Sequence, residues 1–260
     1  MSEAGQRASE TAQRDAASYE PAREDFTDRV VLVTGATRGI GRAVATALVR
    51  LGATVILHGR RAGALDALYQ ELKALGPEPA VAELDLERAQ GEAYQQLTDA
   101  IDSRYGRLDA LLHNAGILGD LSAIEDYDIG LFQRVLHVNL TAPFILTRCL
   151  FPLLERSDDP SLVFTTSGVG NQGRAYWGAY SVSKFGTEGL AQILAVENES
   201  RGLRCNLIDP GGTRTGMRRS AYPAEDPATL AAPEDIVGPY LWLLGRASRG
   251  VTGLRIEAQA

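Results

Sequence analysis

Tyr180-Ser-Val-Ser-Lys184 places a phenol and an ammonium four residues apart, with Ser167 thirteen residues upstream of the phenol. On an α-helix that spacing brings both groups to one face, about 6 Å apart along the axis. An ordinary tyrosine has a pKa of about 10 and is a poor proton donor or acceptor near neutrality. A neighbouring positive charge favours the phenolate and moves the group toward working pH. A displacement of about three pKa units takes roughly 4 kcal/mol. The same spacing arises by chance as a surface contact on many amphipathic helices, so composition has to sharpen it. Of the 26 basic residues only two, Lys73 and Lys184, are lysine. A chain that uses arginine almost everywhere, yet lysine here, needs a compact ammonium and not a planar fork.

Such a pair has to be positioned by regular elements, and the apolar pattern supplies them. Short β-branched runs predict strands over 30–34, 54–57, 80–84, 108–112, 162–166, 204–208 and 253–257. Between them the periodicity predicts helices over 39–51, 62–75, 88–105, 129–155, 177–201 and 233–245. Regular β–α alternation in 260 residues with 45% hydrophobic content implies one α/β domain, a Rossmann-type doubly wound parallel sheet flanked by helices. Residues 26–260 form that domain, with a modest substrate lid over about 213–232. Residues 1–25 differ: six acids, three arginines and no apolar period read as a flexible extension with room for a short helix at its end.

Thr34-Gly-Ala-Thr-Arg-Gly-Ile-Gly41 follows a predicted strand and opens a predicted helix. Gly35 permits a tight turn, Gly39 the approach of a pyrophosphate, and Gly41 the packing of helix on strand. With Thr37, Arg38 and Ile40 between them, the free N–H groups of the helix start face the phosphates. A dinucleotide lacking a 2′-phosphate wants an acid at the end of the second strand. Gly59 stands there, followed by Arg60 and Arg61, with Arg38 in the first turn. Two guanidiniums clamp a dianionic phosphate, so the expected cofactor is NADP(H) over NAD(H). Solvated charges at a helix start would look the same.

Together with Asn114-Ala-Gly116, Asn139, Ser167, Tyr180/Lys184 and Pro210-Gly211, this turn resembles the short-chain dehydrogenases/reductases, in order and spacing, over nearly all of residues 26–260. Within them, 113–120, 172–180 and 210–215 look like the YciK-type bacterial oxidoreductases. The resemblance implies that Tyr180 is the general acid of carbonyl reduction and the base of the reverse reaction. It makes Lys184 the group that lowers the phenol's pKa and holds the nicotinamide ribose, and Ser167 a donor to the substrate oxygen. Asn139 is expected to hold a water linking Lys184 to solvent, although a lone mid-helix Asn also reads as a local bend. Asp85 and Leu86 would flank the adenine; Asn114, Ala115 and Gly116 the adenosine ribose; Pro210, Gly211 and Thr213 the nicotinamide. Turn capping is the competing account of Asp85 and Asn114. The ending, Thr252 to Ala260, departs from the Asp-Gly-Gly finish of the family, which puts tetramer contacts there in doubt.

The net charge of −7 speaks against nucleic acid and anionic membranes as partners. No apolar run reaches the ~20 residues of a bilayer span, and three His lack metal-ligand spacing. Two cysteines read as reduced core thiols, and the location expected is cytoplasmic. Arg174, Arg214, Arg218 and Arg219 gather near the expected pocket mouth with Tyr176, Trp177, Met217 and Tyr222. They suggest either an acidic carbonyl substrate or exposed charges of an Arg-rich chain. Apolar residues on several faces of 129–155 and 177–201, among them Leu146, Leu150, Leu190 and Ile193, suggest a homodimer or homotetramer. The reading from a different class is a non-catalytic NADP-binding sensor or scaffold on the same fold.

Overall fold

The structure, a computed structural model, describes residues 3–259. Its seven strands are β1 (Val30–Val33), β2 (Thr54–Gly59), β3 (Ala80–Glu83), β4 (Ala110–His113), β5 (Ser161–Thr165), β6 (Arg204–Asp209) and β7 (Arg255–Glu257). They form one parallel sheet in the order β3-β2-β1-β4-β5-β6-β7. Strands β1, β4, β5 and β6 are buried throughout, because helices cover both faces. Successive β1 side chains serve opposite faces: Val31 and Val33 join one core, Val30 and Leu32 the other.

The first face carries α1 (Glu3–Ala17), α2 (Gly39–Arg50), α3 (Ala62–Leu72) and α9 (Val237–Leu244). The second carries α4 (Gly91–Tyr105), α6 (Ala142–Leu154) and α7 (Gly178–Glu197). Two shorter helices, α5 (Ile129–Leu136) and α8 (Gly216–Ala221), lie at the carboxyl end of the sheet's connections. After β1 the chain winds outward to β3, then returns to β4 on the other side of β1. The carboxyl ends diverge there and leave a crevice, the place where such sheets bind ligands.

Two expectations need correction, and the long helix gains a detail. The segment 1–25 holds a docked 15-residue helix: α1 packs on α9 and β7, with Ala12 and Ala16 buried. Gln13 donates to the Glu257 carbonyl (2.8 Å) and accepts from its N–H (2.9 Å), capping the outer edge of β7. Two alanines one turn apart gave too faint an apolar period to announce this. The helix expected over 129–155 runs unbroken from Ile129 to Leu154, with a π-helical turn, His137–Thr141, joining α5 to α6 at the position of Asn139. Although Ile129–Leu154 is long and apolar enough to cross a membrane, Leu146, Leu150, Leu153 and Leu154 are buried in the second core. Of the four residues expected at a subunit contact, Leu146 and Leu150 are thus core and Leu190 packs against it. The exposed apolar groups of α6 and α7 are Phe144, Val182, Phe185, Ile193 and Val196.

Candidate active site

Ser167 follows β5, while Tyr180 and Lys184 project from the first two turns of α7. All three line one cleft of about 300 Å³ at the carboxyl edge of the sheet. Lys184 is buried and donates from Nζ to the Thr165 carbonyl at 2.7 Å. Behind it lies an ion cluster that sequence spacing did not show. Arg255 of β7 bonds Asp209 at 2.6 Å and Glu188 at 3.2 Å, and Thr166 Oγ1 donates to Glu188 at 2.6 Å.

Burial decides the protonation of both groups. It pushes the Tyr180 phenol up to about 12, with hydrogen bonding by Ser167 pulling down and the Asp209 charge pushing further up. It lowers the Lys184 ammonium to about 8, against the raising influence of Asp209 and Glu188. Burial is thus the dominant influence on the phenol, and the expected lowering draws on Lys184 together with a cationic nicotinamide ring.

Asn139 sits in the π turn and is buried. Its Oδ1 accepts from Ile117 N at 2.9 Å, and its Nδ2 donates to Ile117 O at 2.9 Å and to Ser183 Oγ at 3.0 Å. The side chain is thus a brace between the loop after β4 and α7. Its carbonyl accepts from Thr187 Oγ1 at 3.2 Å.

Of the residues expected to bind a cofactor, Gly35, Thr37, Arg38, Gly39, Ile40, Arg60, Asp85, Leu86, Asn114, Ala115, Gly116, Pro210, Gly211 and Thr213 line the cleft. Gly41 and Asn139 stand behind its wall, and Arg61 lies outside it as the N-cap of α3. Gly35 turns at φ +67° and Gly39 at φ +54°. A Cβ on Gly41 would strike the Gly35 carbonyl and the Asn114 amide. Gly41 thus lets α2 close on the turn and on β4, not on β1 alone. Thr34, unremarked in the sequence, staples this region: its hydroxyl accepts from Asn114 N (2.9 Å) and Ala115 N (3.0 Å). Asn114 Nδ2 donates to Thr34 O at 3.1 Å, and Asp85 Oδ1 accepts from Glu87 N at 3.1 Å, so both also cap turns.

The residues present fit a phosphorylated dinucleotide. No side chain caps the start of α2, which leaves its first N–H groups without a side-chain acceptor. Arg38 and Arg60 are exposed, and among the described residues neither side chain has an ion-pair or hydrogen-bond partner. The acids at that end are engaged elsewhere, Asp85 with Arg88 (3.9 Å) and Glu87 with Arg134 (3.8 Å). His58, at the end of β2, is buried in the same wall and its pKa is lowered to about 4 by loss of hydration. Among the described residues no group of three or more His, Cys, Asp or Glu could hold a metal ion.

The arginines named near the pocket mouth do not converge on it. Arg218 lines the cleft but binds Glu225 through two contacts of 2.6 Å. Arg174 donates to Tyr222 Oη at 2.7 Å, and neither it, Arg214 nor Arg219 lines the cleft. Gln259 was also missed. Its amide reaches Pro210 O (2.6 Å), Gly212 O (3.2 Å) and Thr213 Oγ1 (3.2 Å), holding the loop expected beside the nicotinamide. It lies where the chain departs from the family's finish.

The family profile described as short chain dehydrogenase matches residues 29–226. The oxidoreductase YciK of Escherichia coli strain K12 is 50% identical over 242 residues, covering 93% of this chain and 96% of that one. The solved structure of E. coli YciK superposes with a TM-score of 0.91 at 49% identity, covering 94% of this chain and 100% of its own. A short chain dehydrogenase of E. coli CFT073, complexed with NADPH, gives a TM-score of 0.90 at 50% identity, covering 92% and 100%.

Proposed function

Because this chain belongs to the short-chain dehydrogenase/reductase family, we propose that it is an NADP(H)-dependent oxidoreductase interconverting a carbonyl compound and a secondary alcohol, with Tyr180 as general acid and base. One observation carries the reading: a single cleft is lined at one end by Ser167, Tyr180 and Lys184 and elsewhere by the unpaired Arg38 and Arg60. Preference for NADP(H) rests on those two guanidiniums, on Gly59 where an acid would hold a ribose diol, and on the NADPH held by the CFT073 relative.

When bound, the reduced dinucleotide supplies a hydride to the carbonyl carbon. The chain's own part is the proton and its placement. Burial keeps the phenol in its proton-carrying form, and Lys184 together with the charge of an oxidised nicotinamide would bring its pKa toward working pH, where it gives the proton to the developing alkoxide. Hydride on carbon and proton on oxygen complete the alcohol. Ser167 steadies the charge growing on that oxygen, and Lys184 holds the ribose hydroxyls beside it. Asn139 acts through Ile117 and Ser183 as a positioning residue. The segment 213–232, pinned by a bridge between Thr213 and Ala231, serves as the lid.

We further place the protein in the cytoplasm, a compartment suited to its two free cysteines, and in a homodimer or homotetramer formed through the exposed apolar face of α6 and α7. The test is NADPH oxidation across a panel of quinones, diketones, aldehydes and keto acids. Turnover of at least one class with NADPH, and much less with NADH, is expected. Tight NADPH binding with no turnover of any class would replace this reading by a non-catalytic sensor or scaffold.

A further inference from the structure

Leu118, Trp177, Met217 and Ala221, the last two on α8, are among the apolar residues that line the cleft with Tyr180. Trp177 is the centre of an aromatic run, its ring 5.8 Å from that of Tyr180 and 5.9 Å from that of Tyr222. The cation on this wall, Arg218, is already occupied. Glu225 takes both its Nε and Nη2 at 2.6 Å, and its guanidinium lies 4.0 Å over the Tyr222 ring. Lys184 is likewise committed, to the Thr165 carbonyl beside Asp209 and Glu188.

A substrate carboxylate entering here would lose its water without gaining a free positive partner, or would have to break the Arg218–Glu225 pair. The first route is expensive for a charge taken out of water, and the second gives up two charge-assisted contacts of 2.6 Å. An apolar ring, by contrast, gains contact with Trp177 and Met217. Building on the oxidoreductase reading, we infer that the substrate is an uncharged carbonyl compound with an apolar, ring-bearing body, and that the Arg218–Glu225 pair is the element that discriminates against its carboxylate analogue. Of the two readings of the arginines near the pocket mouth, this is the one without an acidic substrate.

The probes are 1-phenyl-1,2-propanedione and phenylglyoxylate, which share the phenyl ketone and differ by a methyl group in place of a carboxylate oxygen. Calorimetric dissociation constants on the full chain saturated with NADP⁺ compare them without turnover. The diketone is expected to bind about tenfold or more tightly. Glu225→Gln, which frees Arg218, should improve phenylglyoxylate by about tenfold and leave the diketone within about twofold. Equal affinities, a preference for the anion, no binding of either probe, or an unchanged ratio in Glu225→Gln would each overturn the inference. Turnover with NADPH separates it from the reading beneath it. Preferred reduction of the keto acid removes the inference alone, whereas a diketone that binds and is never reduced removes the oxidoreductase reading and leaves the apolar site.

Discussion

The Lys184 ammonium lies 5.6 Å from the centre of the Tyr180 ring while its Nζ donates to the Thr165 carbonyl. Both groups are buried, and burial works against the charged form of each. The pair is therefore held in the protein as a neutral phenol beside an ammonium that titrates near pH 8. The phenol is thereby in its proton-carrying form, and Lys184 gains a measurable signature.

The folded-state pKa of Lys184, about 8, is below its ordinary 10.5. The unfolded chain binds the proton more tightly, so the native state gains stability as pH rises from about 8 to 10.5, and the cost is greatest below 8. Lys184→Met should then raise unfolding free energy at pH 7 by about 1–3 kcal/mol, a gain that fades toward pH 10.5. Denaturant titrations at several pH values check this. In the wild type, NADPH affinity should weaken as pH rises through about 8, and Lys184→Arg should remove that dependence.

Arg60→Asp should weaken NADPH binding by about 10- to 100-fold, the worth of one charge-assisted contact, and leave NADH within a few-fold. Fluorescence titration with both dinucleotides decides it. Equal losses for both would move the phosphate clamp elsewhere.

Gly41→Ala puts a methyl group against the Gly35 carbonyl and the Asn114 amide, both backed by Thr34. Overpacking of this kind costs about 1–3 kcal/mol. Thermal unfolding should show that loss together with weaker NADPH binding, since α2 can no longer close on its turn. An unchanged midpoint would mean the turn is looser than its contacts indicate.

Removal of residues 1–18 uncovers the core beneath Ala12 and Ala16 and frees the edge of β7 from Gln13. About 2–3 kcal/mol of burial and hydrogen bonding would go, lowering Tm by roughly 5–10 °C. A flexible arm would leave Tm where it was.

The strand pattern and the glycine turn were legible because they are local: β1 needs only its own apolar run, and Gly35 and Gly39 their own positive φ. The spacing of Tyr180 and Lys184 was legible for the same reason, whereas the direction of their pKa displacement was not. That direction is set by burial, which comes from elements packed around the pair from distant parts of the chain, while Asp209 of β6 and Glu188 of α7 act against it at Lys184. Arg255 sits 46 residues from Asp209 and Gln259 sits 49 from Pro210, so no spacing rule announces these contacts. The unusual ending of the chain was visible, but not that Gln259 uses it to hold the Pro210–Thr213 loop.

The proton donor itself is tested most directly by comparing wild type and Tyr180→Phe in NADPH oxidation with whichever carbonyl compound the wild type reduces best. The variant keeps the ring and its packing against Trp177 and loses only the hydroxyl. A fall in kcat of about 10²–10⁴-fold with NADPH affinity unchanged is the predicted result. Turnover that survives in Tyr180→Phe at the wild-type rate would contradict the account.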